Sequence, residues 1–261
     1  MRAIKIIRQG VGNMDFAYDI DSSRLLKDIK SFIEYHKEYF TVSSAISDKS
    51  MIFGDYNMME NKGEINPKQD EPLNQHNLLK FLKDVSVNQC TKCGLSRTRN
   101  NIVFGEGNPS GKLMFIGEAP GAEEDDTGRP FVGRAGQLLT KIIESINLKR
   151  GDVYIANVIK CRPPQNRNPS EEEIKQCSPF LKEQIRIIRP KIICTLGKFS
   201  TEFLIGTDKG TISAVRGNEF GYDGIAVIPT YHPSYLLRNP EAKREVWEDM
   251  KKIRDLYFRA S

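Results

Sequence analysis

The sequence predicts an α/β fold: a three-layer αβα arrangement around a central four-stranded parallel sheet, preceded by an N-terminal extension. Two observations carry this. Four short apolar runs, Lys112 to Ile116, Val153 to Val158, Lys191 to Leu196 and Ile225 to Pro229, are separated by helical stretches at Arg134 to Ile146, at Ser170 to Ile188 and after Lys198. Runs that are apolar throughout and alternate with helices describe parallel strands covered on both faces. Each run also ends in something small or polar: Gly117-Glu118, Asn157, Gly197 and Thr230-Tyr231-His232. In a parallel sheet these four ends converge on one edge, the crevice in which open α/β folds bind ligands.

Ahead of the sheet the chain reads differently. Residues 1–20 allow no assignment beyond a strand at Ile4 to Ile7. Asp21 or Ser22 can cap a helix, and Leu25, Leu26, Ile29, Phe32, Ile33, His36 and Phe40 recur at helical spacing, so Ser22 to Phe40 is expected to be amphipathic. Residues 41–71 have the Ser, Asn, Asp, Lys and Gly of a linker. Pro72 is expected to start a helix that carries Leu78, Leu79, Leu82 and Val85 and ends before the first cysteines. The division is therefore an extension over 1–70 and a domain over 71–261.

Composition narrows the class. At 39% hydrophobic residues a core can form in at least part of the 261. No apolar run approaches the ~20 residues of a membrane span, and Met1-Arg2-Ala3-Ile4-Lys5 lacks a secretory h-region, so a cytoplasmic protein with no membrane partner is expected. Residues 1–70 hold 10 Lys plus Arg against 11 Asp plus Glu, so residues 71–261 hold 29 against 23, a surplus of +6. That surplus suits a phosphate-backbone partner without requiring one.

Five cysteines are present. Cys90 and Cys93 form a CxxC pair, and Cys161 and Cys177 have fifteen residues between them. Four thiolates at these spacings suit tetrahedral zinc or an iron-sulfur cluster, and spacing does not separate the two. Cys194, inside the third apolar run, is expected to be a small buried hydrophobe. Around the first strand end stand five acids: Glu118, Glu123, Glu124, Asp125 and Asp126.

Several motifs agree on a family. GEAPG at Gly117 to Gly121, the pair Glu124-Asp125, GRPFVGRAGQLL at Gly128 to Leu139, YIANVIKCRPP at Tyr154 to Pro164 and HPSYLLR at His232 to Arg238 resemble, in order and spacing, the family 4 uracil-DNA glycosylases. The resemblance runs from about Leu78 to Leu256; residues 1–70 have no counterpart in it. It implies a DNA-repair hydrolase that removes uracil from DNA and leaves an abasic site. It also implies a [4Fe-4S] cluster on Cys90, Cys93, Cys161 and Cys177.

The same resemblance assigns roles. Glu118 would orient or activate water, and His232 would donate to the uracil oxygen. Asn157 would read N3-H and O4, a pattern that cytosine reverses. Phe131 would stack on the base, and Glu124 would close the space of a thymine methyl. Leu236 would be the wedge that enters the minor groove, with Ser234 and Arg238 on phosphates, and Lys198 and Ser200 as weaker phosphate candidates. Glu123, Asp125 and Asp126 are expected to be solvated. A related branch is covalently trapped through a histidine in the loop that here reads RPPQNRNP, Arg162 to Pro169, without one, so turnover by water is expected. A monomer with no nucleotide cofactor and no divalent metal is expected. The alternative reading is a non-catalytic uracil-DNA or nucleic-acid binding module of the same fold.

Overall fold

A computed structural model describes residues 74–259. The expected strand at Ile4 to Ile7, the helix at Ser22 to Phe40, the linker and Pro72 lie outside them.

Six strands form one sheet: β1 Glu106–Gly107, β2 Leu113–Gly117, β3 Tyr154–Asn157, β4 Ile192–Leu196, β5 Phe220–Tyr222 and β6 Ile225–Thr230, in the order β1-β3-β2-β4-β6-β5. The four central strands, β3-β2-β4-β6, pair in parallel as expected. Two short antiparallel strands extend the edges, β1 on β3 and β5 on β6. At two and three residues these edge strands are too short to carry an alternation pattern, and so left no signal in the sequence.

The helices are α1 Gln75–Phe81, α2 Ala122–Thr127, α3 Arg134–Ser145, α4 Glu171–Ile188, α5 Lys198–Ile205, α6 Ile212–Val215, α7 Pro233–Arg238 and α8 Lys243–Arg259. α1 begins at Gln75 because the Asn74 side chain accepts from the Asn77 amide, and it runs on as a π turn over Leu82–Val87. α4 starts in a capping box: the Ser170 hydroxyl takes the Glu173 amide while the Glu173 carboxylate takes the Ser170 amide.

Because side chains alternate along a strand, Leu113, Phe115, Ile155, Ile192, Cys194 and Ile228 share one face. There they meet Leu139 and Ile143 of α3 and Val246, Met250 and Ile253 of α8 in a single core cluster. Each such side chain contributes roughly 1.5–3 kcal/mol by leaving water. Met114, Ile116, Tyr154 and Ile193 point to the opposite face, where Gln184 of α4 reaches the Tyr154 hydroxyl. With both faces covered, all residues of β2, β3 and β4 are buried.

Candidate active site

Register sets the strand ends level. Gly117 stands opposite Asn157, and Leu196 opposite Thr230. The chain passes from β2 to β3 on one side and to β4 on the other, so β2 and β4 flank the point where strand order reverses. A cavity of about 500 Å³ opens there, and Glu118, Glu124, Phe131, Asn157, His232, Ser234 and Arg238 all line it. Of the residues expected to meet the base or the phosphates, Leu236 and Ser200 do not.

Phe131 reaches the cavity floor through a strained backbone, with φ at 52° in the left-handed region. Two carboxylates hold it there. Glu124 accepts from the Val132 and Gly133 amides at 2.8 and 3.0 Å and from the Gly121 amide at 3.1 Å. Glu106 binds the Arg129 and Arg150 guanidiniums, and Arg150 also donates to the Pro130 carbonyl. Glu124 thus clamps the loop as well as facing the cavity. The Phe131 ring lies 5.6 Å from that of His232. Gly117 permits this convergence, since a Cβ there would overlap both the Phe131 ring and Asn157 Oδ1.

Asn157 is 1% exposed, and its Oδ1 has no hydrogen-bond partner. An orphaned buried acceptor costs roughly 1–3 kcal/mol, which marks a place for a donor from a ligand.

His232 caps α7. Its Nδ1 accepts from the Ser234 amide at 3.1 Å and lies 2.7 Å from the Ser234 hydroxyl. A backbone N–H only donates, so Nδ1 carries no proton and the neutral ring carries its hydrogen on Nε2. Burial, aided by the Arg238 charge, pushes its pKa down to about 4. Glu118 has the opposite shift: burial alone pushes its carboxyl up to about 7. The site therefore pairs a neutral histidine donor with a carboxylate that is half ionised near neutrality.

Three expectations are corrected here. Leu236 is 1% exposed and sits in the core cluster, because α7 turns it toward α3, so it cannot enter a groove without leaving the core. Tyr235 and Leu237, 37% and 38% exposed, are the apolar side chains of α7 that face outward. Ser200 is buried with its hydroxyl donating to the Leu196 carbonyl, which removes it as a phosphate contact. Asp125 is not solvated: it is buried and accepts from the Asn100 and Asn101 amides, fastening α2 to the segment that follows the first cysteines. The Ser234 hydroxyl serves His232, and Lys198 is exposed beside Glu202 at 3.7 Å.

A second, smaller cavity is lined by Cys90, Cys93, Cys161 and Cys177 together with Lys92, Arg99 and Lys160. Cys194 lies apart, buried inside β4 as expected. Among the described residues no three His, Cys, Asp or Glu side chains close up as ligands of a metal ion would; the four thiols line a common space instead. Arg99 donates to Cys161 Sγ at 3.3 Å and the Lys160 amide to Cys177 Sγ at 3.2 Å. Burial raises the Cys161 pKa and pushes that of Cys177 up to about 12. An all-sulfur set with cationic and N–H donors on the sulfurs fits a thiolate-bound metal group, whose own charge would ionise the thiols.

Sequence reasoning gave no individual role to several lining residues. Asn166 and Arg167 border the cavity from the 162–169 loop, and Tyr231, Ser213 and Phe199 complete its wall. Arg167 is held by both oxygens of Glu173, and Tyr231 donates to Ser213 at 3.0 Å. The one available signal was the basic composition of that loop. Lys160, one of the basic residues that follow β3, is buried rather than solvated.

Residues 104–251 match the model of the uracil DNA glycosylase superfamily. The chain is 51% identical over 171 residues to the type-4 uracil-DNA glycosylase of Thermotoga maritima, covering 64% of this chain and 89% of that protein. To that of Sulfurisphaera tokodaii it is 51% identical over 178 residues, covering 65% and 81%. To that of Archaeoglobus fulgidus it is 44% identical over 177 residues, covering 65% and 89%. The chain therefore belongs to the uracil-DNA glycosylase superfamily, and within it to the type-4 family.

Proposed function

We propose that this protein removes uracil from DNA by hydrolysing the bond between base and deoxyribose, leaving an abasic site. The observation that carries the reading is the unpartnered Asn157 Oδ1, buried beside Phe131 and His232 at the floor of the cavity. Uracil offers an N3–H to that oxygen and an O4 to the amide nitrogen, whereas cytosine presents an acceptor at N3 and a donor at C4. The base must leave the duplex to reach such a floor. Phe131 then supplies a stacking face.

Cleavage leaves a positive sugar and a uracil anion. As the C1′–N1 bond breaks, its electron pair passes into the uracil ring, and His232 Nε2–H meets the charge that accumulates on the base oxygen without giving up its proton. Glu118 in its ionised form stabilises the sugar cation and takes a proton from the water that forms the new bond at C1′. Arg238 and Arg167 at the cavity mouth suit the phosphates, and the exposed Tyr235 and Leu237, in place of Leu236, suit the gap left by the flipped base.

Cys90, Cys93, Cys161 and Cys177 would hold a [4Fe-4S] cluster, whose contribution when bound is a rigid cross-link between the segment before β1 and α4. Residues 71–261 carry the activity, with 1–70 as an extension.

The test is release of free uracil from an oligonucleotide with a single deoxyuridine. Wild type is expected to release it, and Asn157→Ala to release it roughly a hundredfold more slowly. No abasic product from any deaminated base would overturn the assignment. Visible absorption by the purified protein distinguishes iron and sulfide from zinc.

A further inference from the structure

Lys160 is 1% exposed, a charged side chain enclosed between β3 and α4. Removing a cation from water is expensive unless hydrogen bonds replace the water, so its partners define its purpose. Nζ donates to the Asn157 carbonyl at 2.9 Å and to Gln184 Oε1 at 2.6 Å. Gln184 is itself fixed, its Nε2 donating to the Phe104 carbonyl at 2.9 Å. The Lys160 main chain is held as firmly, its amide donating to Cys177 Sγ and its carbonyl accepting from the Val103 amide at 2.8 Å.

Asn157 needs such a hold. It is the last residue of β3, and beyond it the Val158 and Ile159 amides donate to the Gly117 and Glu118 carbonyls as the chain turns toward the cysteines. The side-chain acceptor that faces the base hangs from the very peptide that Lys160 grips. We propose that Lys160 is a positioning residue for base recognition: its ammonium fixes the Asn157 main chain so that Oδ1 stays aimed at the base, and its amide ties that setting to Cys177 and the four-cysteine site. This rests on the reading of Asn157 as the acceptor for uracil.

Lys160→Met keeps an unbranched side chain and removes the donors. Inhibition by free uracil, activity on single-stranded deoxyuridine DNA, affinity for a duplex with an abasic-site analogue, and metal content per chain are measured together. Because misplacement of a binding group by about 1 Å can cost a hundredfold, the inhibition constant of uracil is expected to rise about tenfold or more, with kcat/KM falling in parallel. Abasic-site affinity, which involves no base, and metal content are expected to stay as in wild type. Gln184→Leu, which loosens the ammonium from its second anchor, is expected to move uracil inhibition in the same direction by less, and it provides the test should Lys160→Met not fold. An unchanged uracil constant in the folded variant, or a change matched by lost abasic-site affinity or lost metal, overturns the proposal. Failure of the underlying reading is separate and visible in wild type, which would then neither release uracil nor be inhibited by it.

Discussion

Glu118 and His232 divide the pH response between them. The carboxyl of Glu118 titrates near 7 in the folded protein because burial disfavours its charge. His232 titrates near 4 and stays neutral through the working range. If the carboxylate is the active form, kcat/KM should rise about tenfold per pH unit below 7 and level off above it. No inflection should come from the histidine. Stability moves the other way. A carboxyl whose folded pKa lies above its unfolded value of 4.5 favours the fold fully below 4.5, and that contribution is lost as pH rises through about 7. Glu118→Gln should therefore lose activity yet gain thermal stability at pH 8, by an amount on the order of 2 kcal/mol, with no gain at pH 4.5. Equal melting temperatures of the two proteins at pH 8 would show that the carboxylate is not desolvated. The sequence showed Glu118 at a strand end, but its shift depends on burial by residues from other strands, which no local pattern carries.

α7 shows where a motif stops being informative. HPSYLLR places two leucines side by side, and neighbouring helical residues point about 100° apart, so one must face inward. Which one depends on how α7 docks on α3, a tertiary matter. Leu236→Ala is expected to destabilise the protein by about 2–5 kcal/mol, the ordinary range for a large side chain lost from a core. Leu237→Ala and Tyr235→Ala should melt like wild type and lose activity on duplex DNA more than on single strands, where no gap needs filling. Thermal denaturation alongside the two activities separates these cases, and a Leu236→Ala protein of native stability would restore the original assignment. The same limit explains Asp125. Its neighbours Glu123 and Asp126 are exposed, and only the packing of α2 against Asn100 and Asn101 distinguishes it. By contrast the four central strands were readable, because burial on both faces writes itself as an uninterrupted apolar run.

Across the whole molecule, the two cavities are parts of one construction. Cys90 and Cys93 precede the sheet, Cys161 follows β3 and Cys177 lies on α4, so a group bound by all four would join segments far apart in the sequence. The Cys161 end of that site continues through Lys160 to Asn157, and the Arg99 end through Asn100 and Asn101 to Asp125 on α2, which also bears Glu124. Spacing and the family resemblance singled out the four cysteines as a set but could not reveal that their loops reach Asn157 and the α2 segment that bears Glu124. A closed loop of chain stapled by metal loses much stability when a ligand goes, because binding energy at such a site is folding energy. Cys93→Ala should therefore lower the melting temperature by roughly 10 °C or more and abolish visible absorption. Cys194→Ala, which removes a small buried group from β4, should lower it by only about 2–4 °C and leave absorption intact. The comparison isolates ligation from burial, because both residues are cysteines of the same domain. Equal melting losses with absorption retained in both would mean that the thiols act as core atoms and that the staple does not exist.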